Sequence, residues 1–205
     1  MLEENLINKE KNSPAVILDI DETILDNSPQ TAGQIREGRP FSDELWDEWV
    51  ALAQARALPG ALEFVNGAAS KGVEVYYISN RGIHQLEQTL ANLRKEGFPF
   101  ADSTHVLLKT GTEGKDMRRA KVASSHEILL LIGDNLGDFS GIYDKRSSGS
   151  AKLEVRENKE LFGSRYIVLP NPMYGSWEKP FRSDDENGSL KMKKEALRAY
   201  LSQKE

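Results

Sequence analysis

The chain has no cysteine. Disulfides, thiolate metal sites, cysteine nucleophiles and lipid attachment through cysteine are therefore excluded for these 205 residues. No apolar run approaches the ~20 residues needed to cross a bilayer as a helix. The first residues, Met1-Leu-Glu-Glu-Asn-Leu-Ile, lack the basic segment and apolar stretch of a signal peptide. A dense basic face is also missing: the net charge is -5, which argues against a nucleic-acid polymer as partner. The three histidines, His84, His105 and His126, are dispersed without metal-ligand spacing, and read as surface or internally satisfied side chains. No Arg-His-Gly motif supports phosphohistidine chemistry, and no internal repeat or low-complexity tract is present.

What remains is enough apolar residue, 39% of the chain, for one core, with room for a small cap. The most informative stretch is Ala15-Val-Ile-Leu-Asp19-Ile-Asp21-Glu-Thr23. Its apolar run reads as a buried parallel strand, about 15–20. Asp19 and Asp21 follow where parallel sheets bind ligands, beyond the strands' carboxyl ends. Like charges there are costly unless a cation or a proton compensates them. That end should hold a metal ion, or a carboxylate pair with distinct chemical roles.

Two further strands end in polar groups. Val73-Glu-Val-Tyr-Tyr-Ile78 runs into Ser79-Asn80-Arg81-Gly82, and Glu127-Ile-Leu-Leu-Leu-Ile132 into Gly133-Asp134-Asn135-Leu-Gly-Asp138. Lys115 opens a helix-like segment, 115–124, between them. This ordered set resembles the motifs of the haloacid-dehalogenase-like (HAD) phosphohydrolases. The implied fold is α/β and Rossmann-like: a parallel sheet flanked by helices, one domain over 1–205, with a small helical cap at about 27–60.

Other elements follow from pattern. Residues 1–14 are polar and read as frayed or helical. Ser28-Pro29 and Arg39-Pro40 bound an expected loop. Ser42 caps an expected helix reaching Ala57, with Asp43 and Glu44 in its first turn and Leu45, Trp46, Trp49, Val50 and Ala53 on one face. Pro59-Gly60 stops it, and Ala61–Ser70 is a second helix. Ile83–Lys95 is helical, Val106–Leu108 a short strand, Arg165–Leu169 another, and 141–163 polar and irregular. Residues 189–203 form a Lys-rich helix with Leu190, Leu197 and Leu201 inward.

On the resemblance, Asp19 attacks phosphorus to form an aspartyl-phosphate, which splits hydrolysis into two easier steps. Asp21 serves as acid to the leaving alkoxide and then as base to water. Asp134 holds the metal and Asp138 supports that shell; an oxygen-rich site suits Mg²⁺. Ser79 and Lys115 bind phosphate, and Lys109 is the second choice for the lysine because only Lys115 stands at a helix N-terminus. Trp46 and Trp49 read as core or cap packing. Phe41, Tyr174 and Trp177 lie in loops and are open to binding.

A narrower resemblance rests on Asp19-Ile-Asp-Glu-Thr-Ile-Leu-Asp-Asn-Ser-Pro29, Pro40-Phe41 with Trp46 and Trp49, Leu58-Pro-Gly-Ala61, Ile78-Ser-Asn-Arg81, Gly133-Asp-Asn-Leu136 with Asp138-Phe139, and Leu169-Pro-Asn-Pro-Met-Tyr-Gly-Ser-Trp177. These look like the class C nonspecific acid phosphatases, bacterial envelope lipoproteins that also act as 5′-nucleotidases. The resemblance implies a Mg²⁺-dependent acid phosphatase acting on nucleoside 5′-monophosphates and other small phosphomonoesters. Its metal ligands are Asp19, the main-chain carbonyl of Asp21, and Asp134. Ser79, Asn80 and Lys115 hold phosphate, Thr23 and Asp138 are supporting, and Phe41 and Tyr174 sandwich the base. It also implies an envelope or extracytoplasmic location, although the sequence as it stands carries neither signal peptide nor lipidation cysteine. A homodimer is compatible with the sequence. The alternatives are a HAD-type phosphatase for sugar or other metabolite phosphates and, in a different class, a phosphoaccepting receiver-type module.

Overall fold

The structure is a computed structural model that describes residues 13–112, 114–143, 148–181 and 186–202. Five parallel strands form the main sheet: β1 (Ser13–Leu18), β4 (Glu74–Gly82), β5 (Val106–Lys109), β6 (His126–Gly133) and β7 (Tyr166–Val168), in the order β5-β4-β1-β6-β7. β1 lies between β4 and β6, where the strand order reverses, and such a switch point opens a crevice at the carboxyl ends. Alternate residues of β1 feed two cores. Val16 and Leu18 join Val75, Tyr77, Leu130 and Ile132 on one face. Ala15 and Ile17 join Tyr76, Ile78 and Val122 on the other. Burial on both faces is why this strand reads as an unbroken apolar run.

β1 starts and stops two residues before the expected span. The ladder closes with Asp19 N–H donating to the Ile132 carbonyl at 2.9 Å. The chain then turns: the Ile20 carbonyl accepts from Ile24 and Leu25 N–H, both at 2.9 Å, and Glu22 takes a left-handed conformation at φ 57°.

The expected loop after Ser28-Pro29 is instead α1 (Ser28–Glu37). Proline is tolerated in a first turn because the N–H it lacks has no partner there anyway. Asn27 stands at the N-cap but makes no side-chain cap; Asp26 Oδ1 accepts the Ser28 N–H at 2.8 Å instead. α2 (Asp43–Leu52) begins on Ser42 as expected, with Ser42 Oγ accepting the Leu45 N–H at 3.3 Å, but ends five residues short of Ala57. Ala53 is left-handed, and Asn92 bonds both the N–H and the carbonyl of Ala55, at 3.1 and 2.7 Å. That pins an extended segment in which β3 (Arg56–Ala57) pairs antiparallel with β2 (Leu25–Asp26).

α3 (Ala61–Ser70) and α4 (Leu86–Glu96), the latter entered through a short 3₁₀ turn, follow the expected pattern. α5 (Asp116–Ala123) follows Lys115. The segment 141–163, read as irregular, contains α6 (Ser148–Glu157). α7 (Glu186–Ser202) is the expected terminal helix, but Leu197 is 59% exposed and not inward. The side chains of Leu190 and Leu201, and residues 1–12 of the lead segment, lie outside the described residues. No helix among the described residues is long and apolar enough to cross a membrane.

Candidate active site

β1 and β6 set two acidic groups side by side. Carboxylate oxygens of Asp19, Asp134 and Asp138 lie within 4.8 Å of one another, and all three residues are buried. Lys115, also buried, donates to Asp19 Oδ1 and, at 2.7 Å, to Asp138 Oδ1. The other oxygen of Asp138 accepts the Asn135 N–H at 2.8 Å. Asp134 Oδ2 accepts from Asn135 Nδ2 at 2.8 Å and Asn171 Nδ2 at 2.7 Å, while Thr23 Oγ1 stands 3.5 Å from Oδ1. Gly133 is required for this closeness, because a Cβ there would sit 2.3 Å from Asp138 Oδ2.

Three carboxylates crowd one buried place, and the proton affinities of Asp19 and Asp134 register it. Burial pushes the Asp19 pKa well above the ordinary carboxylate value; Lys115 opposes this, and Asp138, Asp134 and Asp21 add repulsion. Burial also raises Asp134, against its hydrogen bond from Asn171. Burial disfavours the Lys115 ammonium, yet Asp19 and Asp138 more than offset it and hold the pKa above the usual lysine value. The cluster is thus short of positive charge even with its lysine. An all-oxygen donor set of this kind fits a hard divalent cation.

Of the residues expected to hold a metal, two bring their carboxylates together. Asp19 and Asp134 converge as expected, and the third carboxylate beside them is Asp138, expected only as support. The Asp21 carboxylate is turned to other partners. Arg81 Nε lies 3.1 Å from both its oxygens and Nη2 2.7 Å from Oδ1. Asn27 Nδ2 donates to Oδ1 at 2.9 Å and Ser79 Oγ to Oδ2 at 3.3 Å.

A cavity of about 690 Å³ opens over these groups. Asp19, Asp21, Ser79, Asn80, Lys115, Asp134 and Asp138 line it, as do Phe41 and Tyr174. Phe41 is 64% exposed and Tyr174 38%. Lys109, the second choice, is not among the lining residues. Trp46, read as packing, also lines the cavity, with the Arg81 guanidinium 5.6 Å from its ring centroid and Phe41 at 6.4 Å. Trp177 supports its own loop, with Nε1–H shared between the Asn171 and Tyr174 carbonyls at 3.1 Å each.

Several contributors escaped the sequence reading. Arg81, Asn27 and Asn171 sit inside motifs that were noted, but nothing in the chain tells which carboxylate each one meets. Glu22 is another: it accepts the Asn27 N–H at 3.2 Å and the Tyr174 hydroxyl. Burial, with repulsion from Asp21, pushes its pKa up to about 8. At the far end of the sheet, His105 and His126 are satisfied, as expected, by a shared partner: their Nε2 atoms lie 3.3 and 3.2 Å from Glu74 Oε2.

A family model described as HAD superfamily, subfamily IIIB (acid phosphatase), matches residues 1–177. The class C acid phosphatase of Bacillus anthracis is 39% identical, with a TM-score of 0.90 over 95% of this chain and 83% of that one. A second structure of that enzyme, with tungstate bound, gives 0.89 at the same identity and coverage. Among curated proteins, a stem 31 kDa glycoprotein of Glycine max is 30% identical over 164 residues, 77% of this chain and 58% of its own length. Acid phosphatase 1 of Solanum lycopersicum is 29% identical over 167 residues, 77% of this chain and 57% of its own. The chain therefore spans less than three fifths of these curated relatives.

Proposed function

Since the chain belongs to the HAD subfamily IIIB acid phosphatase family, we propose that it is a phosphomonoesterase that uses Mg²⁺ and an aspartyl-phosphate intermediate. The carrying observation is the buried carboxylate triad Asp19, Asp134 and Asp138 with Lys115 set between two of its members, under a cavity at the switch point. Asp19, Asp134 and the main-chain carbonyl of Asp21 would hold the ion, with Asp138 alongside. When bound, Mg²⁺ supplies positive charge against the phosphate dianion and the carboxylates around it.

The chain's own residues do the rest. Asp19 attacks phosphorus in line, and its position beyond β1 fixes the direction of attack. Lys115 places its charge beside the attacking carboxylate, and Ser79 and Asn80 line the same wall for the non-transferring oxygens. Asp21 gives a proton to the leaving alkoxide and takes one from water in the second half. The tungstate complex of the Bacillus anthracis enzyme supports an oxyanion site in this family, tungstate being tetrahedral like phosphate.

The substrates we propose are nucleoside 5′-monophosphates and related small esters. Phe41 and Tyr174 both line the same cavity with exposed ring surface, Phe41 beside Trp46 and Tyr174 tied by its hydroxyl to Glu22. Phosphate release from nucleoside monophosphates, ribose 5-phosphate and other metabolite phosphates, with Mg²⁺ and with chelator, tests the whole reading. Full activity in excess chelator would refute the metal. Indifference to the base would move the assignment to a metabolite phosphatase, and a stable phosphoprotein without turnover to a receiver-type module.

A further inference from the structure

Both outer grips on Asp21 lead back to one helix. Asn27, 1% exposed, presents Nδ2 to Asp21 Oδ1 at 2.9 Å and accepts the Trp49 indole N–H on its own Oδ1 at 2.8 Å. An indole only donates, so its partner must be the amide oxygen, and the amide NH₂ is then forced toward the carboxylate. Without the indole, the amide oxygen loses its donor, and the side chain is held only from its NH₂ side, by Asp21 and, at 3.4 Å, by Glu22 Oε2. The second grip is Arg81, whose guanidinium rests over Trp46 on the first turn of α2. Asp47, next to Trp46, holds Gln85 at 2.5 Å and His84 at 3.0 Å, which fixes α2 to the end of β4. Trp49 itself does not line the cavity.

We propose that α2 positions Asp21 for proton transfer through the relay Trp49–Asn27–Asp21, making Trp49 a positioning residue for this reaction. The proposal rests on the reading of Asp21 as the acid. In that step a bond forms between an Asp19 oxygen and phosphorus, the bond from phosphorus to the leaving oxygen breaks, and the Asp21 proton passes to that oxygen. An alkoxide needs the proton. A nitrophenolate, stable as an anion, hardly does.

The test compares kcat/KM for ribose 5-phosphate and p-nitrophenyl phosphate, since kcat/KM covers the steps through this first bond cleavage. Trp49→Phe keeps an aromatic ring and deletes the N–H. It should lower kcat/KM for ribose 5-phosphate roughly tenfold, part of the about 10²–10⁴ that a general acid contributes, and for p-nitrophenyl phosphate by less than about twofold. Asn27→Ala should show the same pattern, and the double variant should be no worse than Asn27→Ala alone, because both act through one link. Asp21→Asn reports on the underlying reading and should show the same selectivity, larger. If Asp21→Asn costs both substrates equally, the acid assignment falls. If Asp21→Asn is selective while Trp49→Phe lowers both substrates equally, or neither, the relay is overturned. Additive losses in the double variant overturn it as well, even should Trp49→Phe prove unstable.

Discussion

Replacing Lys115 by methionine removes a buried cation and leaves its carboxylates in place. The lysine lies 2.7 Å from Asp138 and bonds Asp19 as well. At an effective dielectric near 20, the 2.7 Å contact is worth about 6 kcal/mol of attraction. On the same scale, two carboxylates no more than 4.8 Å apart repel by about 3.5 kcal/mol or more. Water entry and proton uptake relieve part of this. The cost expressed is that of breaking a buried ion pair from one side, about 3–5 kcal/mol. In a chain of 205 residues that lowers Tm by roughly 6–20 °C, at about 2–4 °C per kcal/mol. The assay is urea unfolding followed by circular dichroism, with and without millimolar Mg²⁺. Because a divalent cation relieves the same repulsion, Mg²⁺ should stabilise Lys115→Met more than the wild type. Saturation at a hundredfold excess over Kd is worth about 2.7 kcal/mol. Lys115→Met/Asp19→Asn should be less destabilised than Lys115→Met alone, since one unpaired charge is gone. A loss below about 1 kcal/mol, set against the 3–5 expected, or no differential gain from Mg²⁺, would refute the reasoning.

Three further outcomes follow. Asp19→Asn should fold yet lose roughly 10⁴–10⁶-fold in kcat; retention of a tenth of wild-type turnover would rule out Asp19 as nucleophile. Phe41→Ala and Tyr174→Ala should each cost about 1–3 kcal/mol in kcat/KM for nucleoside monophosphates, the range for base–aromatic stacking, and leave ribose 5-phosphate almost unchanged; equal losses on both would reduce these rings to scaffold. Burial works against the Glu74 carboxylate, but hydrogen bonds from His126 and His105 outweigh it and hold its pKa below the ordinary 4.5. Stability from that depression is present above about 4.5 and is lost as pH falls through the lower folded value. Unfolding midpoints of wild type and Glu74→Gln should therefore converge as the pH drops below that range; a constant offset down to pH 2 would exclude this linkage.

The carboxylates could be read from the chain because of how a parallel sheet works, whereas the two exposed rings came from the family resemblance. Each apolar run had to be a buried strand, and every such strand delivers its following residues to the same edge. Asp19, Ser79 and Asp134 therefore share one crevice whatever their loops do. Lys115 followed from its place at a helix start. The misreadings have physical causes too. Ser28-Pro29 signals a turn or a helix first turn equally well, and α1 took the second. The run into Ala57 has helical residues, but Asn92, far along the chain, captures the Ala55 backbone and extends it. Leu197 matches an inward position by spacing alone, and spacing does not say whether a surface is there to cover it.

Sequence alone determined that the sheet is parallel and that Asp19, Ser79 and Asp134 emerge at one edge of it, because apolar periodicity and strand polarity are local properties that fix where residues emerge. Tertiary structure alone decided which charge answers which. Arg81 pairs with Asp21, Lys115 bridges Asp19 and Asp138, Asn171 reaches Asp134, and Trp49 sets the Asn27 amide. Such pairings depend on distances between elements brought together only by packing. Hydrogen bonds and ion pairs act over a few ångströms and leave no periodic mark on the chain.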